Sequence, residues 1–102
     1  MSKEEEEEEK NKSQIKLEIQ SDEVTAQGIY SNLAGIAHSE TEFIMDFLFL
    51  YPNQSKAKLK SRIVATPVHA KRFLSALSEN IRKYEERFGP IEEKSAPPYA
   101  HG

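Results

Sequence analysis

Two segments near the middle of the chain alternate apolar and polar residues with a period of two, and a five-residue break separates them. In TEFIMDFLFLY (41–51), Phe43, Met45, Phe47, Phe49 and Tyr51 form one apolar face, while Glu42, Ile44, Asp46, Leu48 and Leu50 mix charge with aliphatics. AKLKSRIVA (57–65) sets Ala57, Leu59, Ser61, Ile63 and Ala65 against Lys58, Lys60, Arg62 and Val64. Such alternation marks half-buried strands, and the turn formers of PNQSK (52–56) join them into an antiparallel hairpin. The spacing predicts a register with Phe49 opposite Leu59, Phe47 opposite Ser61 and Met45 opposite Ile63. On the other face it sets Asp46 opposite Arg62 and Glu42 near the end of the basic strand. A slip of one residue would send the aromatics to the charged side, so one register is strongly favoured.

Two more segments read as strands. QIKLEIQ (14–20) alternates Ile15, Leu17 and Ile19 with Lys16 and Glu18, and GIYSNLAGIAH (28–38) is apolar on both faces, with Gly35 marking a bulge as the other reading of that stretch. TPVHAKRFLSALSENIRKYEERFG (66–89) then carries a full set of helix signals. Thr66 can cap, Pro67 suits the first position, and Gly89 followed by Pro90 ends the helix. Ala70, Leu74, Leu77, Ile81, Tyr84 and Phe88 step by four and three, with Phe73 beside them, so the helix presents one apolar stripe. The expected fold is α+β: an antiparallel sheet of three to four strands, ordered β-β-β-β-α, with one long C-terminal helix packed on one face.

A chain of 102 residues has room for one domain. Residues 1–13 contain only Met1 as an apolar side chain, and 90–102 hold three prolines beyond the helix stop, so both ends are expected to be disordered and 14–89 to fold. A body of that size has a marginal core as a monomer. A single helix covers one side of the sheet and leaves Ile44, Leu48 and Leu50 on the other. An apolar face of that kind predicts a homodimer or higher oligomer, formed either sheet on sheet or through the helix stripe.

The net charge of −3 is unevenly spread. The two ends carry −3 and −1, the body +1, and the stretch from Lys56 to Phe73 holds six Lys or Arg and no acid. Lys58, Lys60 and Arg62 should project together from one strand, and Lys71 and Arg72 open the helix. These five form the candidate interaction surface, because ribbon-type readers of nucleic acid present strand side chains in this way. Against that use, Asp46 and Glu42 should neutralise part of the cluster across the strand. Lys71 and Arg72 are also poorly placed near a helix N-terminus unless they have partners.

Nothing in the chain reads as catalytic. It has no cysteine, so thiolate chemistry and disulfides are excluded. His38, His69 and His101 do not share a metal-ligand spacing, the four glycines are scattered, and no Ser or Thr has a recognisable base beside it. Glu42 and Asp46 on one strand face stand about 13 Å apart, too far to act as a carboxylate pair. Tyr30 and Asn32 share a strand face with His38; a polar pocket is one reading, and the favoured one is a buried, hydrogen-bonded Asn32 within the sheet. No apolar run is long enough for a membrane span and the acidic start lacks a signal region, so a soluble cytoplasmic protein is expected.

The Tyr30-x-Asn32 strand, the Glu42-Phe43-x-x-Asp46-Phe47 strand and the Thr66-Pro67-x-His69-Ala70-Lys71 helix start together resemble a small bacterial and archaeal family, domain of unknown function 3467. The resemblance covers roughly residues 28–89 and leaves the acidic N-terminus and APPYAHG outside. It implies that this body is one domain, and it carries no assigned activity. The expectation is therefore a non-enzymatic, oligomeric interaction module without cofactor or metal. Its partners would be a second copy of itself and more readily another protein than nucleic acid, with no membrane role.

Overall fold

In the computed structural model of the protein, residues 16–93 are described. The expected disorder of 1–13 lies outside these residues, as does Ile15. Of the C-terminal tail, Pro90–Glu93 are described and adopt no regular structure. The chain forms a short helix α1 (Glu23–Gln27), three strands β1 (Leu33–His38), β2 (Phe43–Leu50) and β3 (Ala57–Ala65), and a 22-residue helix α2 (Pro67–Phe88). The strands make one antiparallel sheet in the order β1-β2-β3, with the long helix packed against it. The fold is α+β, as the sequence predicts, with three strands.

The fourth expected strand, 14–20, does not form among the described residues. Lys16–Gln20 carry no regular structure, and Leu17 and Ile19 are 87% and 86% exposed. Period-two patterning shows that a segment can line a sheet face, but it does not supply a neighbour. In its place the polar stretch that follows forms α1. Asp22 caps that helix by accepting the Thr25 N–H at 2.6 Å, and Gly28, at φ 80°, lets the chain leave it.

The second strand is shorter than expected, starting at Leu33 rather than Gly28. Just before it, the Asn32 side chain substitutes for a backbone partner. Its Oδ1 accepts the Leu50 N–H at 2.7 Å, and its Nδ2 donates to the Leu50 carbonyl at 3.1 Å. Ser31 Oγ donates to the Leu48 carbonyl at 2.8 Å. Side chains thus continue the β1–β2 ladder where the backbone diverges. Asn32 is hydrogen-bonded as expected, but in an exposed position at the end of the sheet.

The hairpin register is observed at Met45↔Ile63, Asp46↔Arg62 and Phe47↔Ser61. Beyond Phe47 it shifts: Leu48 faces Leu59 and Phe49 faces Lys58, where the even alternation of the sequence sets Phe49 opposite Leu59. The shift is a β-bulge that leaves Lys60 as the extra residue. The β2–β3 turn relies on Asn53 at φ 59°, a left-handed conformation that asparagine tolerates.

Helix α2 begins and ends where its signals sit. Thr66 Oγ1 accepts the His69 N–H at 3.1 Å, and Gly89, at φ 94°, donates its N–H to the Glu85 carbonyl. The helix approaches the face of Ile36, Phe43 and Met45 through its first turns, leaving an open groove between helix and sheet. Among the described residues, only Met45 and Ala65, at 8% and 7% exposure, are buried hydrophobic residues.

Candidate functional site

Residues directly opposite one another in an antiparallel pair share a face. One face therefore carries Ile36, His38, Phe43, Met45, Phe47, Phe49 and Ile63, and α2 lies over its Phe43 end. The other face carries Leu33, Ile44, Asp46, Leu48, Leu50 and Leu59. Ile44, Leu48 and Leu50 thus sit on the face away from the helix, as the alternation implies.

The bulge redistributes the basic residues. Arg62 stays opposite Asp46 on the open face, but Lys58, opposite Phe49, lies on the helix face. The three cations of β3 consequently do not project together, contrary to the expectation from even alternation. The extra residue at Lys60 inverts the alternation for the first half of the strand.

Arg62 is paired. Its Nε donates to Asp46 Oδ1 at 2.7 Å and its Nη2 to Oδ2 at 3.0 Å, a two-pronged contact that holds the carboxyl below its ordinary value and raises the guanidinium. Glu42 is exposed and forms no ion pair among the described residues. Nor do Lys58, Lys60, Lys71 or Arg72.

Lys60 borders a shallow depression at the end of the sheet remote from α2, together with Tyr30, Phe49 and Tyr51. The three rings form a chain, with Tyr30 to Phe49 at 5.9 Å and Phe49 to Tyr51 at 5.0 Å between centroids, both edge-to-face. The alternation of residues 41–51 already sets Phe49 and Tyr51 on one face, whereas bringing Lys60 to them requires the bulge. Tyr30 and Asn32 do not form a pocket together, since Asn32 is committed to Leu50.

The second hollow is the groove beneath α2. It measures about 490 Å³ and is lined by apolar side chains, among them Ile36, Phe43, Met45, Ala70 and Leu74, with Lys71 at its margin. Beyond it the stripe of α2 continues exposed through Ile81, Tyr84 and Phe88.

Among the described residues there is no group of three His, Cys, Asp or Glu side chains able to hold a metal ion. His38 stacks on Phe43 at 5.5 Å, and His69 occupies the first turn of α2. No helix among the described residues is long and apolar enough to cross a membrane.

A family model described as "Protein of unknown function (DUF3467)" matches residues 1–93. The match extends through the acidic N-terminus, which the motif-level resemblance leaves outside. No curated protein and no solved structure matches the chain.

Proposed function

The chain belongs to the DUF3467 family of proteins of unknown function, and on its geometry we propose that it is a non-enzymatic module that self-associates and binds another protein. One observation carries this reading: the described residues include two buried hydrophobic ones and leave most of their large apolar side chains, those of α2 above all, facing water. A monomer of this size cannot offset its ordering entropy with so small a core, and a second chain supplies the missing contacts. The face of Leu33, Ile44, Leu48 and Leu50, away from α2, is the surface for a partner protein. Light scattering of the full chain is expected to give at least twice the chain mass, and a monomer in the micromolar range refutes the reading. Binding of a permanently unfolded, apolar polypeptide, followed by fluorescence anisotropy, should weaken at least tenfold in Leu48→Ser at unchanged mass. Equal binding by the two proteins removes the sheet face as the partner surface.

A second reading is favoured by the Tyr30–Phe49–Tyr51 chain of rings beside Lys58 and Lys60. Aromatic faces interleaved with cations bind single-stranded nucleic acid by stacking and by phosphate contact. In that role Lys71 and Arg72, at the opposite end of the sheet, and Arg62, tied to Asp46, would take no part. Retention of single-stranded DNA or RNA that falls steeply with salt, and rises on deleting residues 1–13, is the expected result. Its absence with and without those residues eliminates this reading.

A further inference from the structure

The apolar stripe of α2 is regular enough to specify its own partner. Ala70, Leu77 and Tyr84 alternate with Leu74, Ile81 and Phe88 at the three-four spacing of a coiled-coil seam. The side chains from Phe73 to Phe88 along it are between 40% and 65% exposed. The opposite side of the helix is closed in itself, since Arg82 bonds Glu79 and, at 2.6 Å, Glu86. That side is the solvent face, and the stripe is the unsatisfied one.

We infer that α2 pairs with α2 of a second copy of this chain, antiparallel, about a two-fold axis at the level of Glu79. The inference rests on the self-association proposed above and names its surface and orientation. Three features select it. First, an antiparallel seam sets Leu77 against Ile81 of the other copy, Leu74 against its Tyr84, and Ala70 against its Phe88. The Tyr84–Phe88 ring pair, 5.0 Å between centroids, is then delivered to the groove of Ile36, Phe43, Met45, Ala70 and Leu74. Each copy has a hollow at one end of α2 and two exposed rings at the other, so a two-fold fills both hollows.

Second, the charges beside the seam match in this orientation. Lys71 and Glu85 flank the stripe on the same edge, with Ser78 midway. Antiparallel pairing places Lys71 beside Glu85 of the other copy twice, and Ser78 beside its own counterpart. On the other edge Arg87 meets the Phe73 ring, and Asn80 meets Asn80. A parallel pair would set Glu85 beside Asn80 and leave Lys71 beside Thr66, with neither charge compensated. The arrangement also supplies Lys71 with the partner that its position near the helix start requires. Glu85 accepts the Ile91 N–H through one oxygen at 2.8 Å, leaving the other for Lys71.

Third, the area suffices. With roughly 200 Å² on each large side chain, half of it exposed, the stripe offers on the order of 600 Å² per copy, near the ~800 Å² of a stable interface.

The test uses the absence of native cysteine. Single-cysteine full-length variants Ser78→Cys, Lys71→Cys and Glu85→Cys are treated with a short thiol–thiol cross-linker. Ser78→Cys should form a covalent dimer alone. Lys71→Cys and Glu85→Cys should do so only when mixed, and the charge reversals K71E and E85K should each weaken the dimer about tenfold, with K71E/E85K restoring it. Cross-linking of Glu85→Cys with Asn80→Cys, in place of Glu85→Cys with Lys71→Cys, would show a parallel pair and overturn the inference. An oligomer in which neither Ser78→Cys nor the mixture cross-links refutes the helix pairing while leaving self-association intact. A monomeric wild type refutes both.

Discussion

Removing the side chain of Asn32 tests whether a side chain holds the β1–β2 ladder open-ended at Leu50. In Asn32→Ala, two hydrogen bonds to the Leu50 backbone disappear, one accepted at 2.7 Å and one donated at 3.1 Å. Each is worth ~1 kcal/mol net. Both lie at an exposed position where water replaces part of the loss, so the expected cost is about 1 to 2 kcal/mol. Urea unfolding at fixed protein concentration measures it, since an assembling protein has concentration-dependent stability. Amide hydrogen exchange localises it: the Leu50 N–H should lose protection, while Met45 N–H in the middle of β2 changes only by the global amount. Asn32→Asp separates the two bonds, because it keeps the acceptor for the Leu50 N–H and sets a second carboxylate oxygen against the Leu50 carbonyl. It should be no more stable than Asn32→Ala above pH 5. Unchanged Leu50 protection and a stability difference within error in Asn32→Ala would refute the argument.

The Asp46–Arg62 pair predicts a direction with pH. Hydrogen bonds from Arg62 lower the folded-state value of Asp46, so its stabilising contribution is complete above the unfolded value near 3.8 and is lost as pH falls through the lowered one. Titration of the Asp46 carboxyl by NMR should show the depressed value in the wild type and its return toward ordinary in Arg62→Gln. Met45→Ala removes the larger of the two buried hydrophobic side chains among the described residues and should cost about 2 to 5 kcal/mol by urea unfolding. Thr66→Ala deletes the cap of α2 and should cost about 1 kcal/mol, with Thr66→Ser restoring most of it.

The hairpin and the long helix were legible because each is specified locally. Thr66, Pro67 and Gly89 bracket the helix, and the pairing of Asp46 with Arg62 follows from counting across one turn. The bulge was not legible, since Lys60 is an unremarkable residue in an evenly alternating run. Its position depends on how β3 twists against β2. That single residue divided the expected cluster of Lys58, Lys60 and Arg62 and assembled an unexpected one around Phe49. The segment from Lys16 to Gln20 failed for the opposite reason: its alternation was clear, but a strand needs a neighbour, and no described part of the chain provides one. Helix α1 carried visible signals in Asp22 and Gly28, but its length fell below what periodicity can detect.

The same bulge has a consequence for how the sheet meets other sheets. β3 is an outer strand, and its margin carries Lys58, Lys60 and an interrupted row of backbone groups, features that block the addition of a further strand. The other outer strand, β1, reads LAGIAH and carries no Lys, Arg, Asp or Glu. Strand addition is thereby confined to one margin. A sheet that can be extended on one side only can join a single neighbour and then stops, which closes the route to open-ended fibre growth that two free margins would leave available.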